Sequence, residues 1–230
     1  MLTCLCWKWG PLFSADYVNR LQSMLARHLH IPHELVCVTD DQNGINPSIH
    51  CEPLTQFTDT PRCRRRMLQY SEAFVSRFGS RILSIDLDVV IVDDLTPAVD
   101  RPEPVVCWCV GYACVYSGSF VLYDAGALDG LWRLFAADPE GFPRKVQPRG
   151  VPSDQAMLNH YLRGMNVAHW TEADGFVTWF GDGYAKLEKH SMGPSRIDLP
   201  PGARIVVLGS ADKAVLDDGQ YAFVREHWRS

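Results

Sequence analysis

Between Arg81 and Val92 an almost unbroken apolar run is interrupted by Asp86-Leu87-Asp88. Arg81-Ile82-Leu83-Ser84-Ile85 leads in and Val89-Val90-Ile91-Val92 leads out. A run of this length reads as a central strand covered on both faces. Alternation puts Asp86 and Asp88 on one side of that strand and Leu87 on the other. A buried carboxylate without a partner is costly, so the pair requires a cation or strong donors. Two strand-end carboxylates offer hard oxygens that suit Mg²⁺ or Mn²⁺. The alternative is a strand ending in carboxylates bonded to backbone N–H groups or to arginine.

The segments around this run alternate strand with helix. Leu2–Trp7 reads as a first strand, and Ser14 can cap a helix striped by Val18, Leu21 and Leu25. Glu34–Thr39 reads as a second strand, ending at Asp40-Asp41 and the turn Asn43-Gly44. After a proline-bounded loop, a helix is expected from about Arg64 to Phe78, stopped by Gly79. This β-α-β-α-β order predicts an α/β fold whose mixed, mostly parallel sheet is flanked by helices. Such sheets bind ligands beyond the carboxyl ends of their strands. Trp7, Lys8, Trp9, Asp40 and the Asp86/Asp88 pair all fall there.

Downstream, strands are expected over Val105–Val110 and Ser119–Tyr123, with Val115-Tyr116-Ser117-Gly118 as their connection. Helices are expected over Leu128–Ala137 and Asp154–Leu162, the second capped by Ser153, with an irregular loop at Gly141–Val151 between them. Strands near Val167–Trp170 and Arg204–Leu208 follow, then a short helix or tail at Tyr221–Trp228. No repeat, low-complexity tract or linker divides the 230 residues, so a single domain, 1–230, is expected.

With 47% hydrophobic and 21% charged residues, the chain has the make-up of a folded protein. Its net charge of −5 gives no general attraction for nucleic acid. Two local basic clusters, Arg62 with Arg64–Arg66 and Arg144 with Lys145 and Arg149, suit a phosphate-bearing ligand. No apolar stretch reaches the length of a membrane span. The N-terminus lacks the basic flank and cleavage site of a signal peptide, so the cytoplasm is the expected compartment. Among the eight cysteines, Cys4/Cys6 and Cys107/Cys109 each share a strand face. None has Cys-x-x-Cys spacing, so free buried thiols are expected rather than disulfides or zinc.

The order of motifs is more specific than any one of them. Trp7 and the helix start Ser14-Ala15-Asp16-Tyr17-Val18-Asn19-Arg20-Leu21 are followed by Val38-Thr39-Asp40-Asp41. The Arg-rich segment Cys63-Arg64-Arg65-Arg66-Met67-Leu68 precedes Ile85-Asp86-Leu87-Asp88-Val89-Val90-Ile91. Tyr116-Ser117-Gly118-Ser119-Phe120 and Ser153-Asp154-Gln155-Ala156 come next. In this order the chain resembles small glycosyltransferases of the GT-A fold, especially the retaining family 8 type and its short phage and bacterial relatives.

That resemblance implies a nucleoside-diphosphate sugar as donor, UDP-sugar favoured. Asp86 would face the sugar or ribose, and Asp88 would ligate the Mn²⁺ or Mg²⁺ that bridges the diphosphate. Departure of the sugar builds negative charge on the nucleoside diphosphate, which a metal and nearby arginines stabilise. Arg65 or Arg66 is implied as the basic residue. Leu87, Ser117, Gly118 and Ser119 would border the donor, with Trp7 or Trp9 against the base and Lys8 and Asp40 beside it. Asp154 and Gln155 are implied as the catalytic pair beneath the donor sugar, Asp154 positioning it and Gln155 at the reacting face. An acid in a first helical turn is also stabilised by the helix dipole alone.

The chain departs from the family at Ile205-Val206-Val207-Leu208-Gly209-Ser210-Ala211-Asp212-Lys213. Gly209 and Lys213 match donor-binding positions, but Leu208 stands where the resemblance implies a metal-completing histidine. Asp212, His190 and His227 are candidate substitutes. The expected function is metal-assisted transfer of a sugar with retention. Two other classes compete: a sugar-nucleotide-binding protein weakened in turnover, motivated by Leu208, and a Mg²⁺-dependent nucleotidyltransferase. The lack of a Gly-rich phosphate loop after the first strand argues against the latter. The acceptor stays open among glycan, lipid, metabolite and modified nucleic-acid base, and Arg144–Arg149 is the place expected to meet it. Trp108, Trp170 and Trp179 are expected mostly in the core or at the lip.

Overall fold

The computed structural model describes residues 1–60, 62–111, 114–179, 199–208, 216 and 221–230. The chain runs β1 (Leu2–Lys8), α1 (Ala15–His28), β2 (His33–Thr39) and β3 (His50–Pro53). A 3-10 helix (Arg62–Tyr70), α2 (Glu72–Val75), β4 (Arg81–Ile85), β5 (Val89–Ile91) and α3 (Thr96–Val99) follow. Then come β6 (Val105–Val110), β7 (Val115–Asp124), α4 (Asp129–Ala137), α5 (Gly141–Val146) and α6 (Asp154–Leu162). The described chain closes with β8 (Ala168–Trp170), β9 (Phe176–Trp179), β10 (Ile205–Leu208) and α7 (Ala222–His227).

Among the described residues, seven strands form one sheet in the order β3-β2-β1-β4-β7-β6-β8, the expected mixed, mostly parallel sheet. β1 pairs in parallel with both β2 and β4, whereas β7 runs antiparallel to β4 and β6. β1 shows why the sheet is covered on both faces. Its Leu2, Cys4 and Cys6 join the core packed on α1, and Leu5 and Trp7 join a second core with Met67 and Phe74. From β1 the chain builds outward through β2 and β3, then returns to lay β4 on β1's other side. The strand order therefore reverses between the carboxyl ends of β1 and β4, where a crevice is expected in such sheets.

Asp86-Leu87-Asp88 does not lie inside a continuous strand. β4 stops at Ile85, and β5 leaves the large sheet to pair with β10 in a separate three-stranded sheet, β5-β10-β9. The apolar run is long because it serves two sheets in succession, and the turn between them carries the carboxylates. Leu87 is 2% exposed and packs into the α1-side core, which anchors the turn.

Other boundaries also differ from expectation. The helix expected over Arg64–Phe78 is a 3-10 helix and α2, separated at Ser71, whose extended backbone caps α2. Val115–Gly118 belongs to β7 rather than to a connection. The Gly141–Val151 loop begins with α5, held down by buried Phe142 and Pro143. No described helix is long and apolar enough to cross a membrane.

Candidate functional site

Arg66 joins four segments beyond the carboxyl end of β4. A 3-10 helix turns once every three residues, so three consecutive arginines point in three directions. Arg64 donates to the Pro139 carbonyl at 3.2 Å. Arg65 donates to the Thr60 carbonyl at 2.9 Å and lies over the Trp9 ring at 5.1 Å. Arg66 turns inward, donating from Nη1 to Asp86 Oδ1 and from Nη2 to the Gly118 carbonyl at 2.6 Å. Its Nε lies 3.3 Å from Asp154 Oδ2. One guanidinium thus joins the Arg-rich segment, the Asp86 turn, β7 and the start of α6.

The arginine and Asp154 are buried, while Asp86 keeps 22% of its side chain exposed. Burial alone would lower the Arg66 pKa, but the charges of Asp86 and Asp154 outweigh it and hold the pKa above its ordinary value. Burial, reinforced by the Asp154 charge, pushes the neighbouring Tyr70 phenol up, and burial raises the Cys63 thiol to about 12. Although paired in charge, Arg66 Nε and Asp154 Oδ2 are misaligned for a hydrogen bond, and both are buried without a hydrogen-bond partner. Native interiors seldom leave such atoms unsatisfied.

β7 delivers its share through an irregularity. In the β6–β7 ladder Cys107 faces Val121 but the next residue, Trp108, faces Ser117, so Gly118-Ser119-Phe120 bulges from β6. Bulges of this kind re-aim strands next to sites. Here the released Ser119 carbonyl accepts the Asp86 N–H at 2.9 Å, and the Ser117 hydroxyl accepts the Ser119 N–H at 3.1 Å. The Gly118 N–H donates to Gln155 Oε1 at 3.4 Å. A Cβ on Gly118 would meet Asp154 Oδ2 at 3.5 Å and Gln155 Cβ at 3.6 Å, so glycine leaves open the space above both residues. α6 is set by Ser153, whose hydroxyl accepts the Ala156 N–H at 3.1 Å, the cap expected from its sequence.

At the β1 and β2 ends, buried Lys8 donates from Nζ to the Asp41 carbonyl at 3.0 Å, and Asp40 Oδ2 accepts the Gly10 N–H at 3.0 Å. These contacts knit the two strand ends together. Trp7, expected against a base, is buried with its ring 6.1 Å from Phe74. Trp9, half-buried and backed by Arg65, is the aromatic face at the rim. Trp108 and Trp170 are core residues, as expected. His227 packs against His28. Gly209, Lys213, Asp212, His190 and the Trp179 side chain lie outside the described residues.

The carboxylates suit a hard divalent ion completed by phosphate oxygens, the usual manner of binding Mg²⁺. Asp86 and Asp154 share one guanidinium, which leaves negative charge for a cation to offset. Leu208 is buried, and its N–H donates to the Asp88 carbonyl at 3.2 Å, so it braces the turn without offering a ligand atom. Among the described residues no third His, Cys, Asp or Glu joins Asp86 and Asp88 in a ligand group.

Sequence reasoning missed two contributors. Asn159 clamps Tyr116, accepting its N–H at 2.9 Å and donating to its carbonyl at 2.7 Å. Its place one helical turn after Gln155 was the available signal. A groove of about 700 Å³ opens beside Gln155, bordered by Cys114, Tyr116, Ser153, Asn159 and Arg163.

No protein-family model matches the chain, and no curated protein matches it by sequence. Its fold does match solved structures. The galactosyltransferase LgtC, in complex with donor and acceptor sugar analogues, aligns with a TM-score of 0.60 at 11% identity, covering 91% of this chain and 88% of that one. An active-site mutant of LgtC aligns with a TM-score of 0.61 at 12% identity, covering 90% and 86%. The architecture is the GT-A-like fold of LgtC.

Proposed function

We propose that this GT-A-like chain is a glycosyltransferase that moves a sugar from a nucleoside-diphosphate donor with retention. The observation that carries the reading is the buried Arg66, which ties Asp86, Gly118 and Asp154 together beyond the carboxyl end of β4. The likeness to a galactosyltransferase that holds donor and acceptor sugar analogues supports the same class of ligand.

In this reading the donor sugar occupies the space that Gly118 leaves above Asp154 and Gln155. As the bond to the diphosphate breaks, the ring gains positive charge and the leaving group negative charge. The Asp154 carboxylate and the Gln155 amide oxygen meet the first from fixed positions, so little reorganisation is needed. Arg66 acts as a positioning residue that holds Asp154 and Asp86. Trp9, backed by Arg65, offers its face to the base. Asp88, with Asp86, would hold a Mn²⁺ or Mg²⁺ ion, which when bound neutralises developing charge on the diphosphate. The groove beside Gln155 is the acceptor's approach, and the exposed Arg144 and Lys145 at the end of α5 lie on the stretch that leads to its Gln147.

The test is a thermal-shift panel of sugar nucleotides with and without Mn²⁺. One donor should stabilise the chain in a metal-dependent way, as ligand binding to the native state requires. Asp88→Asn should abolish the metal dependence. Release of nucleoside diphosphate then establishes turnover. If no donor raises the melting temperature, the proposal fails.

A further inference from the structure

Cys109 and Cys114 form a disulfide across the tip of the β6–β7 hairpin. This corrects the expectation of free thiols for that pair, whereas Cys4, Cys6 and Cys107 are free and buried as expected. His169 arrives from β8. Its strand pairs with β6 so that Cys107 faces His169, and Cys109, two residues further, shares that face. The ligand atoms of Cys109, Cys114 and His169 all lie within 4.8 Å of one another, the only such group among the described residues. The separation of the two cysteines and the remote origin of the histidine hid this grouping from any spacing rule.

We propose that this hairpin tip, once its disulfide is reduced, binds a zinc ion through Cys109, Cys114 and His169. Two thiolates and an imidazole are the donor set that zinc prefers. A tetrahedral ion with Zn–S near 2.3 Å and Zn–N near 2.0 Å needs ligand atoms roughly 3.3–3.8 Å apart. Reduction frees the two sulfurs to move apart to that spacing, and all three ligand atoms already lie within 4.8 Å of one another. The Val167 carbonyl, 3.2 Å from His169 Nδ1, accepts a proton carried there, the tautomer that leaves the Nε2 lone pair for a metal. Ligating histidines characteristically donate their second ring nitrogen to a carbonyl in this way. His169 is exposed and both cysteines are half-buried, so an ion can enter from solvent and keep water as fourth ligand.

The chemistry balances with a dithiol as reductant. It gives two electrons and two protons to the S–S bond, becomes a cyclic disulfide, and leaves two thiols. Zinc then displaces the two thiol protons as it binds two thiolates, with His169 neutral. The oxidised and zinc-bound states exclude each other because both consume the same sulfurs. Cys114 borders the groove beside Gln155, and Cys109 pairs with Tyr116 in the ladder, so the exchange takes place at the wall of that groove.

The full chain would be reduced with a dithiol, freed of it under nitrogen, and titrated with Zn²⁺ against a chromophoric chelator in the absence of any sugar nucleotide. One equivalent of zinc should bind the reduced chain and none the oxidised chain. Co²⁺ substituted for zinc should give the sulfur-to-metal charge-transfer band of a thiolate site. Cys109→Ser and His169→Ala should each weaken binding by at least the ~10–100-fold that loss of an outer-shell partner costs. Cys51→Ser should leave binding unchanged. Circular dichroism confirms that each variant is folded. No zinc uptake by the reduced chain, or uptake equal in folded His169→Ala, overturns the proposal. Neither result bears on donor binding.

Discussion

Replacing Arg66 by methionine keeps an unbranched apolar stem but removes the guanidinium and the charge that two carboxylates share. The Asp154 side chain is 6% exposed and cannot rehydrate, while Asp86 at 22% can do so in part. The Gly118 carbonyl also loses a donor at 2.6 Å. Breaking one side of a buried ion pair costs about 3–5 kcal/mol, mostly through the charge left behind. Because Asp86 recovers some water, the lower half of that range is the better expectation. For a chain of this size each kcal/mol shifts the melting temperature by roughly 2–4 °C, giving a fall on the order of 6–16 °C. Urea denaturation followed by circular dichroism measures the loss directly. Adding Asp154→Asn to Arg66→Met should restore part of the stability, a non-additive result expected of contacting residues. A loss below about 1 kcal/mol, or strictly additive effects of the two substitutions, would refute the view that Arg66 compensates buried charge.

Gly118→Ala should fold with a stability change under about 1 kcal/mol, because its new Cβ makes ordinary contacts and strand entropy favours alanine. It should nonetheless reduce the donor-induced thermal shift at least tenfold in apparent affinity; an unchanged affinity would place the sugar elsewhere. The His28–His227 pair sets a different pH dependence. Burial first, then each other's charge for His28, and the opposed charges of Glu226 and Arg27 for His227, leave both pKa values below the ordinary 6.5. The unfolded chain then binds more protons than the folded one below about pH 6.5, so stability should fall as pH drops through that value. His227→Gln should flatten the slope in denaturant titrations between pH 7 and pH 5, and an unaltered slope would count against it.

The sheet was legible because β1, β2, β4 and β6 are apolar enough to be covered on both faces and are punctuated by Gly, Asn and Asp. β3 was not. His50-Cys51-Glu52-Pro53 carries no apolar pattern, since an edge strand needs only one partner and is safer polar. The site was legible to the level of segments: the Arg-rich run, the Asp86 turn, Gly118 and Asp154 do converge. Which arginine reaches them was not, because the choice follows from the 3-10 geometry of Arg62–Tyr70, and the residues there suited an α-helix equally well. Trp7 and Trp9 could not be ranked by sequence either. Both sit at a strand end, and only the Phe74 packing shows that Trp7 belongs to the interior. The break at Asp86-Leu87-Asp88 was hidden because periodicity reports burial, and both flanking strands are buried, in different sheets.

That division has a consequence for biogenesis. β5 leaves the large sheet at the Asp86 turn and finds its partner only in β10, and the neighbouring contact between Arg204 and Asp94 spans 110 residues. At about 5–20 residues per second, a ribosome needs roughly 5–20 s to supply that partner. For this interval Val89-Val90-Ile91 is an apolar strand with an open edge, the kind of surface that invites pairing with another nascent chain. The carboxylate turn lacks its Leu208 brace for the same time. The hazard during synthesis and the last step in assembling the crevice are one event.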